Sequence, residues 1–253
     1  LLMISIIISM DTIIPRFVPM FHHFNKVPGM DLVSPSFASE ADVDEILEFM
    51  TGDFLENESL NGALQMRKEE SIGLFVFLIR KGVSSGTSVL LRNEKGAIVG
   101  LRLSSFLNRD KEEESDENEE NVHFSAKAEV IEGLLEKLGG DRWSLIPSSV
   151  SRVFYVLVIS VHSAYTRRGL GKVLLEYGMD KARDAGATGI LSEATAMKSQ
   201  ALFAKHGYRI LREIKHEDHV DKNGKRIFTC PDGTNCAQLV FRYVDNANNV
   251  DNR

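Results

Sequence analysis

A near-continuous apolar run, Val153–Val161, gives way to His162-Ser-Ala-Tyr-Thr-Arg-Arg168 and then to Gly169-Leu-Gly171-Lys172 at the head of an amphipathic stretch. A buried strand, a glycine-bearing turn and a helix start outline a cradle for phosphate. Glycine lets the backbone approach a ligand closely, and the free N–H groups and positive dipole end of a helix favour an anion. The amides of Arg167, Arg168, Gly169, Leu170, Gly171 and Lys172 are the expected donors.

Other elements must position that turn. Leu32–Ala38 reads as a first strand, placed at a sheet edge by Pro35. Ser39-Glu-Ala-Asp42 has the form of a capping box, and Val43, Ile46, Leu47 and Met50 follow at helical spacing, predicting a helix over 40–51. Residues 52–59 read as a polar break, followed by helices over 60–67 and 70–81. Strands over 87–92 and 97–104 flank Asn93-Glu-Lys-Gly96, a hairpin signal. Residues 109–121 are dominated by Asp and Glu and read as a solvated, mobile loop. An amphipathic helix is predicted over 126–138. After the glycine turn, Leu170, Val173, Leu174, Tyr177 and Ala182 mark one face of a single helix ended by Gly186. A strand over 189–193, a helix over 198–205, a strand over 208–214, a turn at 222–225 and a strand over 237–244 complete the order. Strands alternating with helices in the second half predict a mixed α/β sheet in one domain, residues 31–244. Residues 1–30 are expected to form a poorly ordered extension and 245–253 a frayed tail.

The 253 residues suffice for a full core, and a net charge of −6 argues against nucleic acid as a partner. The apolar Leu1–Met10 run is too short to span a bilayer and lacks a basic leader, so no membrane association is expected. Cys230 and Cys236 form no zinc pattern and read as two reduced thiols, consistent with a cytoplasmic location.

His162-Ser-Ala-Tyr-Thr166-Arg-Arg-Gly169-Leu-Gly171, with Ser199-Gln-Ala-Leu-Phe-Ala-Lys-His-Gly207-Tyr208 about thirty residues later, resembles the GNAT acetyltransferases over roughly Leu32 to Val244. The family's turn carries Gln or Arg where Thr166 stands. Glu193-Ala-Thr-Ala-Met-Lys-Ser199 and Phe54-Leu-Glu-Asn-Glu58-Ser59-Leu60 are similar to segments of the invertebrate arylalkylamine, dopamine-type N-acetyltransferases; the second segment there reads Phe-x-x-Asp-Glu-Pro-Leu, so Asn57 and Ser59 depart from it.

The resemblance implies a splayed central sheet flanked by helices, acetyl-CoA as cofactor and a small primary amine as acceptor, attacked directly in a ternary complex. By resemblance, Ile159, Ser160 and Val161 lie where a backbone N–H polarises the thioester. Glu58 becomes the candidate base; its bland alternative is a solvated carboxylate at a helix start. The tyrosine that donates a proton in the broader fold is replaced by Phe203. Thr195 and Ser199, one helical turn apart, match hydroxyls used instead, with helix capping the alternative for Ser199. His162 reads as a turn residue, and His216 and His219 as residues at a loop edge, none with an identifiable carboxylate partner. Rival readings are the same fold with a polyamine or protein N-terminus as acceptor, and a degenerate acyl-CoA-binding domain.

Overall fold

A computed structural model of the chain describes residues 32–110 and 123–244. The expected N-terminal extension, most of the acidic loop and the tail lie outside the described residues. The described residues from Val33 onward belong to one compact unit.

Strand β1 (Val33–Phe37) lies at the sheet edge, where Pro35 costs no ladder bond. Ser39 and Asp42 form the expected capping box. Helix α1 (Val43–Phe49) follows. The expected polar break is largely helical: Met50–Phe54 makes a π-type turn with non-helical backbone at Gly52, and α2 (Leu55–Asn57) continues it. The chain opens only at Glu58, which is extended (φ −82°, ψ 135°) and caps α3 (Ser59–Leu64). Helix α4 (Lys68–Ser84) buries Ser71, Phe75 and Ile79 at helical spacing. The hairpin of β2 (Val89–Asn93) and β3 (Ile98–Asn108) turns on Asn93, whose side-chain oxygen accepts from the Lys95 and Ala97 amides.

Helix α5 (Ala126–Gly139) and a short α6 (Arg142–Leu145) precede the central strand β4 (Arg152–Val161). Arg109, expected in the solvated loop, is instead an anchor. Its guanidinium donates to the carbonyls of Trp143, Ile146, Pro147 and Val150 and lies over the Trp143 ring. After the glycine turn come α7 (Leu170–Glu176), α8 (Met179–Asp184), β5 (Gly189–Ala194), α9 (Met197–Lys205), β6 (Arg209–Lys215) and β7 (Cys236–Tyr243).

The strands form one mixed sheet in the order β1-β2-β3-β4-β5-β7-β6, with β4 and β5 the parallel pair. Helices α1, α3, α4 and α5 bury one face and α7, α8 and α9 the other. Strand β4 shows why both faces are apolar. Val153 and Tyr155 point into the first cluster, and Phe154 and Val156 into the second.

The single helix predicted after the glycine turn is two. The chain breaks at Tyr177–Gly178, where Gly178 has φ +72°. A Cβ at Gly178 would lie 2.7 Å from the Phe37 ring, and the fully buried Arg102 donates to Leu174 O (2.6 Å) and Thr87 O (3.0 Å) across the gap. Arg102 thus satisfies a carbonyl at the C-terminal end of α7 that a continuous helix would have paired internally. Burial pushes its guanidinium pKa down to about 10. Gly178→Ala is expected to destabilise the protein by about 1–3 kcal/mol, from a left-handed backbone and overpacking together. Urea denaturation with an unchanged midpoint would contradict this.

Candidate active site

Strands β4 and β5 pair only from Val153 with Gly189 to Val156 with Ser192. Past that point β4 pairs with β3 alone and β5 with β7 alone. The parting follows from a β-bulge. Leu103 pairs with Val158 and Ser104 with Val156, leaving Leu157 as the extra residue. Leu157 and Val158 therefore both face the first core cluster, and the strand bends at the point where the sheet opens. Ile159, Ser160 and Val161, beyond the bulge, line a cavity of about 980 Å³.

The glycine turn lines the same cavity through Thr166, Arg167, Gly169, Leu170, Gly171 and Lys172. Gly169 has φ +78° and caps α7; Arg167 also lies in the left-handed region (φ 62°). Gly171 lets α7 pack against α9, since a Cβ there would meet Leu202 at 3.1 Å. The amides of Leu170 and Gly171, in the first helical turn, have no intrahelical partner. The Lys172 amide differs from expectation: it donates to Gly169 O (3.1 Å). Arg168 stacks on Tyr165. These groups, with the parted strands beside them, fit the diphosphate and pantetheine arm of acetyl-CoA.

The approach to the turn is held by a residue the sequence reading did not single out. Asp53, in the π-type turn, accepts from Ser163 N (3.0 Å) and Ser163 Oγ (2.6 Å), and its carboxylate lies 3.5 Å from His162 Nδ1. His162 therefore has a carboxylate beside it, one that the sequence alone did not identify. Its Nδ1 also accepts from Ala164 N (3.1 Å), which makes it a turn residue as expected.

Glu58 stands at the other side of the cavity. Its Oε2 accepts from Asn61 N (2.8 Å), and Oε1 accepts from Thr195 Oγ1 (3.0 Å). It is an N-cap, but not a solvated one. Burial raises its pKa, outweighing the Asn61 and Leu60 amides and the Thr195 hydroxyl, all of which favour the ionised form. Thr195 is not one helical turn before Ser199; it lies in the link between β5 and α9, and that link carries its hydroxyl to Glu58. The Ser199 hydroxyl donates to Ala196 O (2.8 Å) and receives Ala196 N (3.4 Å), so it is engaged as a cap. Phe203 is buried against Tyr208. Phe54, Leu60, Leu78, Ile131 and Leu135 supply apolar lining, and the Tyr155 hydroxyl donates to Glu193 Oε2 (2.5 Å) within it.

His216 and His219 lie in the loop that follows β6, as expected, and are buried around Phe228. Cys230 and Cys236 are free and buried, and burial pushes the Cys230 thiol up to about 12. Among the described residues no group of three or more His, Cys, Asp or Glu is placed to hold a metal, and no helix is long and apolar enough to cross a membrane.

The raised pKa of Glu58 has a stability consequence with a definite sign. The folded state holds this proton more tightly than the unfolded chain, so the group's contribution is largest below the unfolded value and is lost as pH rises through the folded one. Glu58→Gln, which keeps an acceptor for Asn61, is expected to raise Tm at pH 8, with the gap closing towards pH 4.5. A Tm difference that does not vary with pH would contradict it.

Residues 86–208 match the family described as "Acetyltransferase (GNAT) family". No curated protein matches the chain significantly. Among solved structures, arylalkylamine N-acetyltransferase 2 from Aedes aegypti superposes with a TM-score of 0.71 at 20% identity, over 84% of this chain and 99% of that one. The mosquito arylalkylamine N-acetyltransferase like 5b gives 0.69 at 17%, over 84% and 100%. The Drosophila melanogaster polyamine N-acetyltransferase, an enzyme that forms N-acetylagmatine, gives 0.69 at 20%, over 84% and 100%. At these identities the likeness is one of fold. The parted strands and the glycine turn both fall inside residues 86–208, the segment that matches the acetyltransferase (GNAT) family.

Proposed function

We propose that this acetyltransferase, residues 31–244, transfers acetyl from acetyl-CoA to a small primary amine, an arylalkylamine in the first instance, by direct attack. One observation carries the reading: a carboxylate with a raised pKa and the glycine turn line one cavity. Bound, acetyl-CoA supplies the acetyl group as a thioester. The turn from Arg167 to Lys172 would hold its diphosphate, and the open edge of β4 at Ile159–Val161 would donate a backbone N–H to its carbonyl, an interaction of about 3 kcal/mol in comparable sites.

An alkylammonium has a pKa of about 10 and cannot attack until it loses a proton. Glu58 takes that proton. Its raised pKa makes it a better acceptor than an exposed carboxylate, and Thr195 fixes Oε1. The apolar and aromatic lining, Phe54, Leu78 and Leu135 among it, favours an aryl group. No thiol is poised as a nucleophile, since the Cys230 proton is firmly held. The free, buried thiols suit the cytoplasmic location expected from the sequence.

A second reading, acyl-CoA binding without turnover, is favoured by the engaged Ser199 hydroxyl and by Phe203, which leave neither position free to protonate a leaving thiolate. Thiol release from acetyl-CoA with tyramine, spermidine and a peptide N-terminus separates the readings. Tyramine turnover supports the first; thermal stabilisation by CoA with no product supports the second.

With tyramine, Glu58→Ala is expected to lower kcat/KM by about a hundredfold, and the acid limb of the wild-type profile should lie above the ordinary carboxylate range. Unchanged kinetics would remove Glu58 from the mechanism. Asp53→Ala should raise KM for acetyl-CoA about tenfold, the size of a lost charge-assisted hydrogen bond, with little effect on KM for the amine. Equal changes in both would assign Asp53 to general stability instead.

A further inference from the structure

Glu58 and Thr195 meet although 137 positions separate them. Each stands just before a helix, Glu58 before α3 and Thr195 before the start of α9. One loop ties those two starts together. Asp232 Oδ2 accepts from Ser59 Oγ (2.8 Å) and from Thr234 Oγ1 (2.8 Å), and its Oδ1 accepts from Thr234 N (3.1 Å). Thr234 Oγ1 in turn accepts from Met197 N (3.0 Å), in the first turn of α9. Ser59 and Thr234 are buried. Pro231 packs on α3 so closely that a Cβ at Gly62 would lie 3.2 Å from its ring.

Ser59 is also the residue that departs from the family segment, which has proline there. Proline suits the first position of a helix but has no hydroxyl to donate. The departure therefore creates the link to Asp232.

We propose that Asp232 is a positioning residue for deprotonation of the amine: through Ser59 and Thr234 it keeps Glu58 against Thr195 and sets a fixed negative charge behind the base. This rests on the reading of Glu58 as that base. The groups facing Glu58 are the Leu60 and Asn61 amides from α3, the Thr195 hydroxyl from the β5–α9 link, and Asp232 and Cys230 from the loop. Cys230, with its pKa near 12, is neutral at working pH. Asp232 stays ionised: against the effect of burial, the Ser59 and Thr234 donors hold it below the usual carboxylate range. Its charge therefore opposes ionisation of Glu58 and adds to the effect of burial.

The test uses the full chain and varies tyramine at saturating acetyl-CoA, with kcat/KM for tyramine followed against pH and KM for acetyl-CoA measured separately, for the wild type, Asp232→Asn, Ser59→Ala and Glu58→Gln. Asp232→Asn is expected to lower kcat/KM about tenfold, through loss of orientation. It should also move the acid limb to lower pH, which loss of packing alone does not do, and leave KM for acetyl-CoA unchanged. An acid limb at the wild-type position, with Glu58→Gln inactive, overturns the proposal. If Asp232→Asn does not fold, Ser59→Ala decides. A lower kcat at unchanged KM for acetyl-CoA supports the positioning role, and a wild-type kcat overturns it. An active Glu58→Gln sinks the base assignment itself, whatever the other variants do.

Discussion

The site exists because two parallel strands stop pairing. A parallel pair inside a sheet normally satisfies both backbones, and each unpaired buried amide or carbonyl costs free energy. Here β4 turns away from β5 at the Leu157 bulge, and its last residues keep only the β3 ladder. The second edge of β4 is left facing a cavity. That edge is a liability unless a ligand or solvent occupies it, and it turns backbone groups of β4 towards the cavity. The helices on either face hold the opening apart. Residues from α4 and α5 line one side of the cavity, and α7 and α9 the other. The glycine turn and Glu58 therefore stand at two ends of a single gap in the sheet.

Glu58 is subject to two opposed requirements. As the cap of α3 it accepts a backbone amide, which favours the charged form. As a wall of the cavity it is desolvated, which favours the neutral form, and desolvation wins. A cap chosen for stability alone would be a short side chain such as Ser or Asp. The longer glutamate reaches both its own helix and Thr195, at the cost of a carboxylate held where ionisation is unfavourable. A protein that keeps such a group trades stability for reactivity, which is the usual direction at functional sites.

Most elements and the glycine turn were legible in the sequence because they are local. The edge strand follows from Pro35, the first helix start from Ser39 and Asp42, and the turn into α7 from Gly169 and Gly171 after an apolar run. The break at Gly178 was not legible. The apolar spacing from Leu170 to Ala182 runs through it, and its causes, the Phe37 ring and the Arg102 guanidinium, come from distant strands. Glu58 had no signal of its own beyond the resemblance. Asp53 and Asp232 were missed because their partners lie 110 and 173 positions away. Pro231-Asp232-Gly233 announces a turn, but nothing in it names Ser59 as a partner.

The departures from the family pattern bear on whether this domain has decayed. Thr166, in place of Gln or Arg, donates to Ser163 O (3.0 Å) and braces the loop that Asp53 holds from the other side. Asn57, in place of Asp, donates to Asp53 O (2.8 Å) and closes the helical turn before Glu58. Ser59, in place of Pro, reaches Asp232. Each polar departure thus makes a specific bond next to a site element, and two of them converge on the segment that carries Asp53. The bond of Ser59 is buried and long-range, whereas those of Thr166 and Asn57 are exposed bonds to carbonyls three and four residues back. Phe203 alone removes a function without adding a bond. The arrangement is that of a site rebuilt around Asp53, Glu58 and Asp232; under the proposed reading the proton taken from the amine has a defined acceptor, and the proton given to the thiolate must come from a group other than residue 203.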